Sequence, residues 1–176
     1  MKQSIPQIRR EPRWAAARFL ANFAVLVAAF YVVSVWPPFE RLFYLYLEAN
    51  ARIVNALLRI MAQDTQIHGL TVVSSEYGIS IRRGCDGLEP AWIFCAAVLA
   101  FPAPAPRKAA ILPLGVGLIL AANLVRILSL YFIGARLPAF LPVAHLEIWP
   151  AAFMVLVIAL WLRWVRTPKQ SGASPT

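Results

Sequence analysis

Long apolar runs alternate with short polar segments along the chain, and four runs approach the length of a membrane span. A span needs about 20 apolar residues, and the candidate runs are 19–36, 88–106, 109–130 and 148–162. The second run is marginal, because its helical part, 88–101, covers only about 21 Å at 1.5 Å per residue. It either gains length from the extended PAPAP segment that follows or re-enters the membrane from one side.

Residues 42–61 predict an amphipathic helix. Glu48, Arg52, Asn55 and Arg59 recur at helical spacing and fall within one polar stripe about 60° wide. Such a helix either lies on the membrane surface or lines a bundle interior with its stripe. If it lies outside, most Lys and Arg residues near the span ends become cytoplasmic, whereas a crossing helix divides them almost evenly. The positive-inside rule therefore favours four spans with both termini in the cytoplasm.

Under this topology, the residues between the amphipathic helix and the second run form a small extracytoplasmic cap. The pieces LTVV and YGISI, separated by SSE, predict either a short hairpin or an irregular cap. The expected fold class is all-α integral membrane, a compact bundle of about four spans and an amphipathic helix. We expect a single transmembrane domain, 1–166, and a polar, disordered cytoplasmic tail, 167–176.

Composition agrees with a membrane protein, since 60% of residues are hydrophobic, 14% are charged and the mean hydropathy is +0.65. The net charge of +9 does not indicate nucleic acid binding. The basic residues lie at the ends of apolar runs, where they orient spans and meet anionic headgroups. The first run follows a cluster of arginines but lacks an A-x-A cleavage site, so we expect an uncleaved anchor.

The segment RRGCDGLEP places a free thiol, Cys85, at the start of the second apolar run. Asp86 is a plausible N-cap, Glu89 follows three residues later as in a capping box, and Pro90 falls in the first turn. The acids therefore predict where the helix starts.

The thiol then lies at the positive end of the helix dipole with Arg82 and Arg83 nearby, an environment that favours a thiolate. The alternative for Cys85 is a small hydrophobic residue or a palmitoylation site. Cys95 fits that alternative better, because its neighbours are apolar.

Asn123 and Arg126 lie three residues apart in the third run and so share one helix face. Arg126 lies about 26 Å along that helix, near the outer surface, where it either snorkels to the headgroups or belongs to a polar site. His145 precedes the fourth run at a similar depth, whereas His68 falls in the cap. Without a His/Cys pair at i+3 or i+4, we predict no metal site and no cofactor.

These elements, GCDGL at 84–88, NLVR at 123–126 and His145, resemble the exosortase and archaeosortase family, with a short exosortase H-like branch the nearest in length. The resemblance runs from about residue 65 to 150. It implies that Cys85 is the nucleophile of a membrane cysteine transpeptidase, with Arg126 and His145 as its catalytic partners.

Two positions depart from the family pattern. Asp86 stands where the family commonly has a serine, and Pro150 stands where a glycine is frequent.

Asn123 is expected to hold the catalytic arginine, while Asp86 and Glu89 support the cysteine.

The resemblance further implies a substrate and a location. The substrate is a secreted protein that ends in a recognition motif, a transmembrane helix and a basic cluster, and the site faces outward from the bacterial inner membrane.

Two alternatives remain from the residues alone. One is a non-enzymatic subunit of a transporter or envelope assembly, in which Arg126 and the polar stripe hold a bundle together. The other is an acyltransferase that uses Cys85 on lipid.

Overall fold

The structure is a computed structural model that describes residues 12–167, with side chains from residue 14 onward. Its elements follow in the order α1 Pro12–Ser34, α2 Pro37–Ile60, β1 Gln66–His68, β2 Thr71–Val73, β3 Gly78–Ser80, α3 Leu88–Ala100, α4 Ala105–Arg136, α5 Leu141–Val143 and α6 Trp149–Arg166. A 3-10 turn, Pro138–Phe140, precedes α5, and a π-helical segment, Ala144–Ile148, leads into α6. Nearly all of the predicted tail, 167–176, lies outside the described residues.

Three helical stretches of the described chain are long and apolar enough to cross a membrane, Trp14–Ser34, Ala105–Arg136 and Pro138–Arg166. They correspond to the first, third and fourth predicted spans, and the protein is an integral membrane protein. The second predicted span corresponds to α3, whose 13 residues cover about 20 Å, less than the roughly 30 Å hydrocarbon core. A total of four spans therefore stays a prediction.

Helix α3 is short but central, because it packs against α1, α4 and α6. Its apolar residues meet those of α4 and α6 in one core cluster, which comprises Ala91, Phe94, Val98, Ile119, Phe153, Val157 and Trp164. Gly115 of α4 allows this close approach, since a Cβ atom there would overlap the ring of Phe94. From α1, the carbonyl of Leu26 accepts a hydrogen bond from Trp92 of α3.

Helix α2 is amphipathic, as predicted, and packs on α4 and the cap. Its buried face belongs to a second core cluster, which comprises Leu47, Ala51, Val54, Leu58, Val72, Ile81, Ile127 and Tyr131. Arg52 and Arg59 of the polar stripe are exposed, and Arg52 pairs with Glu48 at 2.8 Å. The two arginines thus point away from the described bundle, whereas Glu48 and Asn55 of the same stripe are half-buried.

The cap is a three-stranded antiparallel sheet in the order β1-β2-β3. Strands β2 and β3 form the predicted hairpin, with Val72 opposite Ile79. Strand β1 was not predicted, and it carries the exposed His68. The all-α fold class is correct for the bundle, but the cap adds this small sheet to it.

We expect Gly115→Ala to destabilise the bundle, because its methyl group overlaps the fully buried Phe94 ring. Overpacking of this kind costs about 1–3 kcal/mol. The matched control is Gly117→Ala on the same helix, where the described residues leave the added methyl group free of close neighbours. That variant should melt at the wild-type temperature or slightly above it, since alanine favours helix. Thermal unfolding in detergent measures the difference, and equal melting temperatures would contradict this packing of α3 on α4.

Candidate active site

Cys85 lies half-buried in the loop between β3 and α3, where it faces α4 and the segment before α6. Its Sγ atom is 3.7 Å from Nε2 of His145 and 3.9 Å from Nη2 of Arg126. The structure thus brings together the thiol, the imidazole and the guanidinium that the sequence singled out. His68 does not line the cavity that these groups share.

Arg126 is turned inward, with only 7% of its surface exposed. Its Nη1 atom donates to the Gly84 carbonyl at 3.4 Å, and its guanidinium lies 5.8 Å from the centre of the Phe153 ring. Its Nε atom is buried and has no hydrogen-bond partner among the described residues. Snorkelling is therefore the wrong interpretation of this arginine, and the free Nε retains capacity for another acceptor.

His145 belongs to the π-helical segment Ala144–Ile148. Such wide turns are rare and occur frequently at functional sites. Directly after the segment, Trp149 donates from Nε1 to Oγ of Ser129 at 3.0 Å, and that hydroxyl donates to the Arg126 carbonyl at 2.8 Å. The segment that carries His145 is therefore tied to the turn of α4 that carries Arg126.

Three successive carbonyls of the cysteine loop accept hydrogen bonds from side chains on other elements. Besides the bond from Arg126, Asn123 donates from Nδ2 to the Cys85 carbonyl at 3.2 Å. The Tyr46 hydroxyl donates to the Asp86 carbonyl at 2.7 Å. Asn123 therefore holds the backbone of the cysteine, and the prediction that it holds Arg126 is wrong in this detail.

Tyr46 is the site residue that the sequence did not reveal. It lies on the partly buried side of α2, where its own carbonyl accepts from Asn50 at 2.9 Å. Asn50 is 7% exposed, a rare burial for a polar side chain. A tyrosine four residues before an asparagine is the only sequence signal for this support, and it is weak.

The predicted capping box is wrong. The helix is preceded by Gly87, whose φ of 78° puts it in the left-handed conformation that glycine tolerates best. Asp86 accepts at Oδ1 from the backbone N–H of Leu88 at 3.0 Å, two residues on, while Glu89 accepts from the Tyr31 hydroxyl of α1. Both acids still support the loop, but through a turn and a contact between helices.

Burial raises the pKa of the Asp86 carboxyl above its usual range, although the hydrogen bond from Leu88 partly offsets this effect. The side chain is 4% exposed. Gly87 beside it packs so closely on α4 that a Cβ atom would lie 2.8 Å from Cβ of Asn123. The loop is thus held tightly on its α4 side.

The two arginines before the loop lie elsewhere. Arg83 donates to the Ser34 carbonyl at 3.0 Å, at the end of α1, and Arg82 is exposed. The cation beside the thiol is Arg126, so the prediction that Arg82 and Arg83 provide the charge is wrong. Residues 41 positions apart supply the pair, which local sequence could not show.

A cavity of about 320 Å³ opens beside the thiol, between β3, α4 and the residues after α4. Cys85, Arg126 and His145 line it together with apolar side chains, among them Ile127 and Leu130. Among the described residues, no cluster of three His, Cys, Asp or Glu side chains could hold a metal ion. The arrangement can form a thiolate, move a proton and stabilise a negative oxygen.

One comparison with known proteins gives a match. The sequence model of a family described as transmembrane exosortase matches residues 14–149. This stretch includes Cys85, Arg126 and His145. It begins well before residue 65, where the resemblance in the sequence starts. Neither the curated proteins nor the solved structures contain a match.

Proposed function

Because the chain belongs to the transmembrane exosortase family, we propose that it is a membrane-embedded cysteine protease or transpeptidase that cleaves C-terminal sorting signals of secreted proteins. One observation carries the proposal, the approach of His145 and Arg126 to within 3.7 and 3.9 Å of the Cys85 sulfur. A nucleophile beside a base and an oxyanion-stabilising cation is an arrangement that supports acyl transfer.

In the first step, His145 takes the thiol proton and the Cys85 sulfur attacks the scissile carbonyl. A carbon–sulfur bond forms, and the carbonyl π electrons move onto the oxygen. Arg126 faces this site with a guanidinium that is already buried and oriented. Preorganised donors of this kind stabilise the oxyanion without reorganising during the reaction.

In the second step, the tetrahedral intermediate collapses and the carbon–nitrogen bond breaks. The imidazolium of His145 returns its proton to the leaving amine, and the acyl group remains on Cys85 as a thioester. Water or an amine then attacks the thioester, loses its proton to His145 and releases the thiolate. The bonds from Asn123 and Tyr46 to the loop keep the sulfur in place throughout.

We propose that the substrate is anchored in the same bilayer by its own C-terminal transmembrane helix, which is flanked by a recognition motif and a basic cluster. Shared anchoring raises the effective concentration of the target and limits the depth of its scissile bond. We place the enzyme in the bacterial inner membrane with the site facing outward, because this orientation keeps most basic span ends cytoplasmic.

Cys85→Ala is expected to abolish processing, because alanine cannot form a thioester. Loss of a nucleophile reduces turnover by more than about a thousandfold. The measurement compares C-terminal peptides of membrane and secreted proteins by mass spectrometry in cells with the wild-type and variant chains. Cys95→Ala is the matched control, since that thiol lies within α3 and not in the cavity, and it should process normally.

Each competing function predicts a different result. If Cys85→Ala inserts normally and the same new C-termini persist, the chain acts as a non-enzymatic subunit. An acyl lipid on Cys85 without new protein C-termini would instead indicate a lipid acyltransferase.

Arg126→Lys should lower processing about a hundredfold, the usual loss when one oxyanion donor is removed. Lysine keeps the positive charge but not the planar fork that reaches the Gly84 carbonyl and the thiol together. The melting temperature in detergent shows whether the fold persists. Wild-type processing by this variant would exclude the guanidinium from the mechanism.

The proposed orientation can be tested with Cys95→Ala, which leaves Cys85 as the only thiol of the chain. A membrane-impermeant maleimide added to intact spheroplasts should label this variant and leave a variant without both cysteines unlabelled. Labelling that occurs only after the membrane is permeabilised would place the thiol on the cytoplasmic side.

A further inference from the structure

Strand β3 lies at the edge of the cap sheet, since the described strands follow the order β1-β2-β3. The hydrogen bonds at its two ends give its orientation. Ser74 donates to the Tyr77 carbonyl and Ile81 donates to the Leu70 carbonyl, both at 2.9 Å. In an antiparallel pair, residues bonded to the partner strand alternate with residues whose backbone groups point away.

Between those two ends, Ile79 is therefore bonded to β2, and the backbone N–H and C=O of Gly78 and Ser80 point to the free edge. The described structure shows no hydrogen bond to these groups from outside the sheet. Two donors and two acceptors are thus aligned along one side of β3. An open edge of this kind is a template for another extended chain.

Along its whole length, strand β3 borders the cavity that holds the reactive groups. Residues Tyr77 to Ile81 form one wall of this cavity, Leu141 and Pro142 are on another, and α4 contributes Ile127. Cys85 follows Ser80 by five residues and lines the same space. A peptide paired with β3 would therefore run close to the sulfur.

The chemistry of the cavity also fits a peptide backbone. No acidic side chain of the described residues lines it, and its cation is Arg126, so carbonyl oxygens are favoured there. The remaining wall is apolar and suits the alternate side chains of a strand. When a peptide is bound by strand addition, the backbone hydrogen bonds give affinity and the side-chain pockets give specificity.

From these contacts we infer that β3 binds the extended backbone of the target as a fourth strand and delivers its scissile carbonyl to Cys85. The inference rests on the proposed function, because it assigns a binding mode to the same site. Gly78 and Ser80 are positioning residues that act through their main-chain N–H and C=O groups.

Ser80→Pro removes one free-edge N–H without removing a bond to β2, and edge strands tolerate proline at such positions. We expect it to reduce the new target C-termini about tenfold, consistent with the loss of one buried hydrogen bond. Ser80→Ala keeps this N–H, so its loss of processing should be much smaller than that of Ser80→Pro. Maleimide labelling of Cys85 at the wild-type rate shows that the loop remains intact.

Ile67→Pro is the matched control on the opposite edge. Val72 is bonded to β3, so its partner in β1, Ile67, points its backbone away from the sheet. This variant should process normally. Normal processing by Ser80→Pro, or an equal loss in Ile67→Pro, would overturn the inference. Persistent processing in Cys85→Ala would instead contradict the proposed function, so the two failures are distinguishable.

A second measurement does not depend on proline. The variant Gly78→Cys is made in a chain that lacks Cys85 and Cys95. Its target is a protein whose new C-terminus appears only in cells with active enzyme. The two proteins are mixed and oxidised to form a disulfide. Single cysteines are scanned through the target near its cleavage site. A fourth strand predicts a disulfide at one position and none at its immediate neighbours, whose side chains point to the other face. Cross-linking at every position, or at none, would overturn the inference.

Discussion

The buried guanidinium of Arg126 is the constraint on which the rest of the structure depends. A charge inside an apolar bundle is costly unless it is solvated by the protein. Its partners come from separate elements, the Gly84 carbonyl and the Cys85 sulfur from the loop before α3 and the Phe153 ring from α6. These contacts tie the loop and α6 to α4, and they place the thiol beside a cation.

The polar site lies where two hydrophobic clusters meet. Along α4, Ile119 belongs to the cluster with α3 and α6, and Ile127 belongs to the cluster with α2 and the cap. Asn123 and Arg126 lie between them on the same helix. Because α4 is closely packed on both sides, Asn123 and Arg126 have fixed positions. The cysteine loop that they hold is therefore positioned nearly as accurately as a residue on a helix.

The distance between the site and the end of α4 follows from the length of that helix. Helix α4 continues ten residues beyond Arg126 to Arg136, about 15 Å at 1.5 Å per residue. Arg126 therefore lies well before the end of α4, because this helix, Ala105–Arg136, is longer than the apolar run 109–130 that predicted the span. The cap and α2 fill the space beside this extension, and the thiol is recessed below them. A recessed site of this kind restricts the access of water to the thiol.

The sequence alone determined the apolar helices, the amphipathic α2, the β2–β3 hairpin and the family, since hydrophobic periodicity and short motifs are local properties of the chain. It also singled out Cys85, Asn123, Arg126 and His145. Only the tertiary structure decided which of them meet, that Asn123 and Tyr46 hold the loop, and that Arg83 turns away. The reason is physical. A helix start depends on neighbouring residues, but the partner of a buried polar group is chosen by packing between elements far apart in the chain.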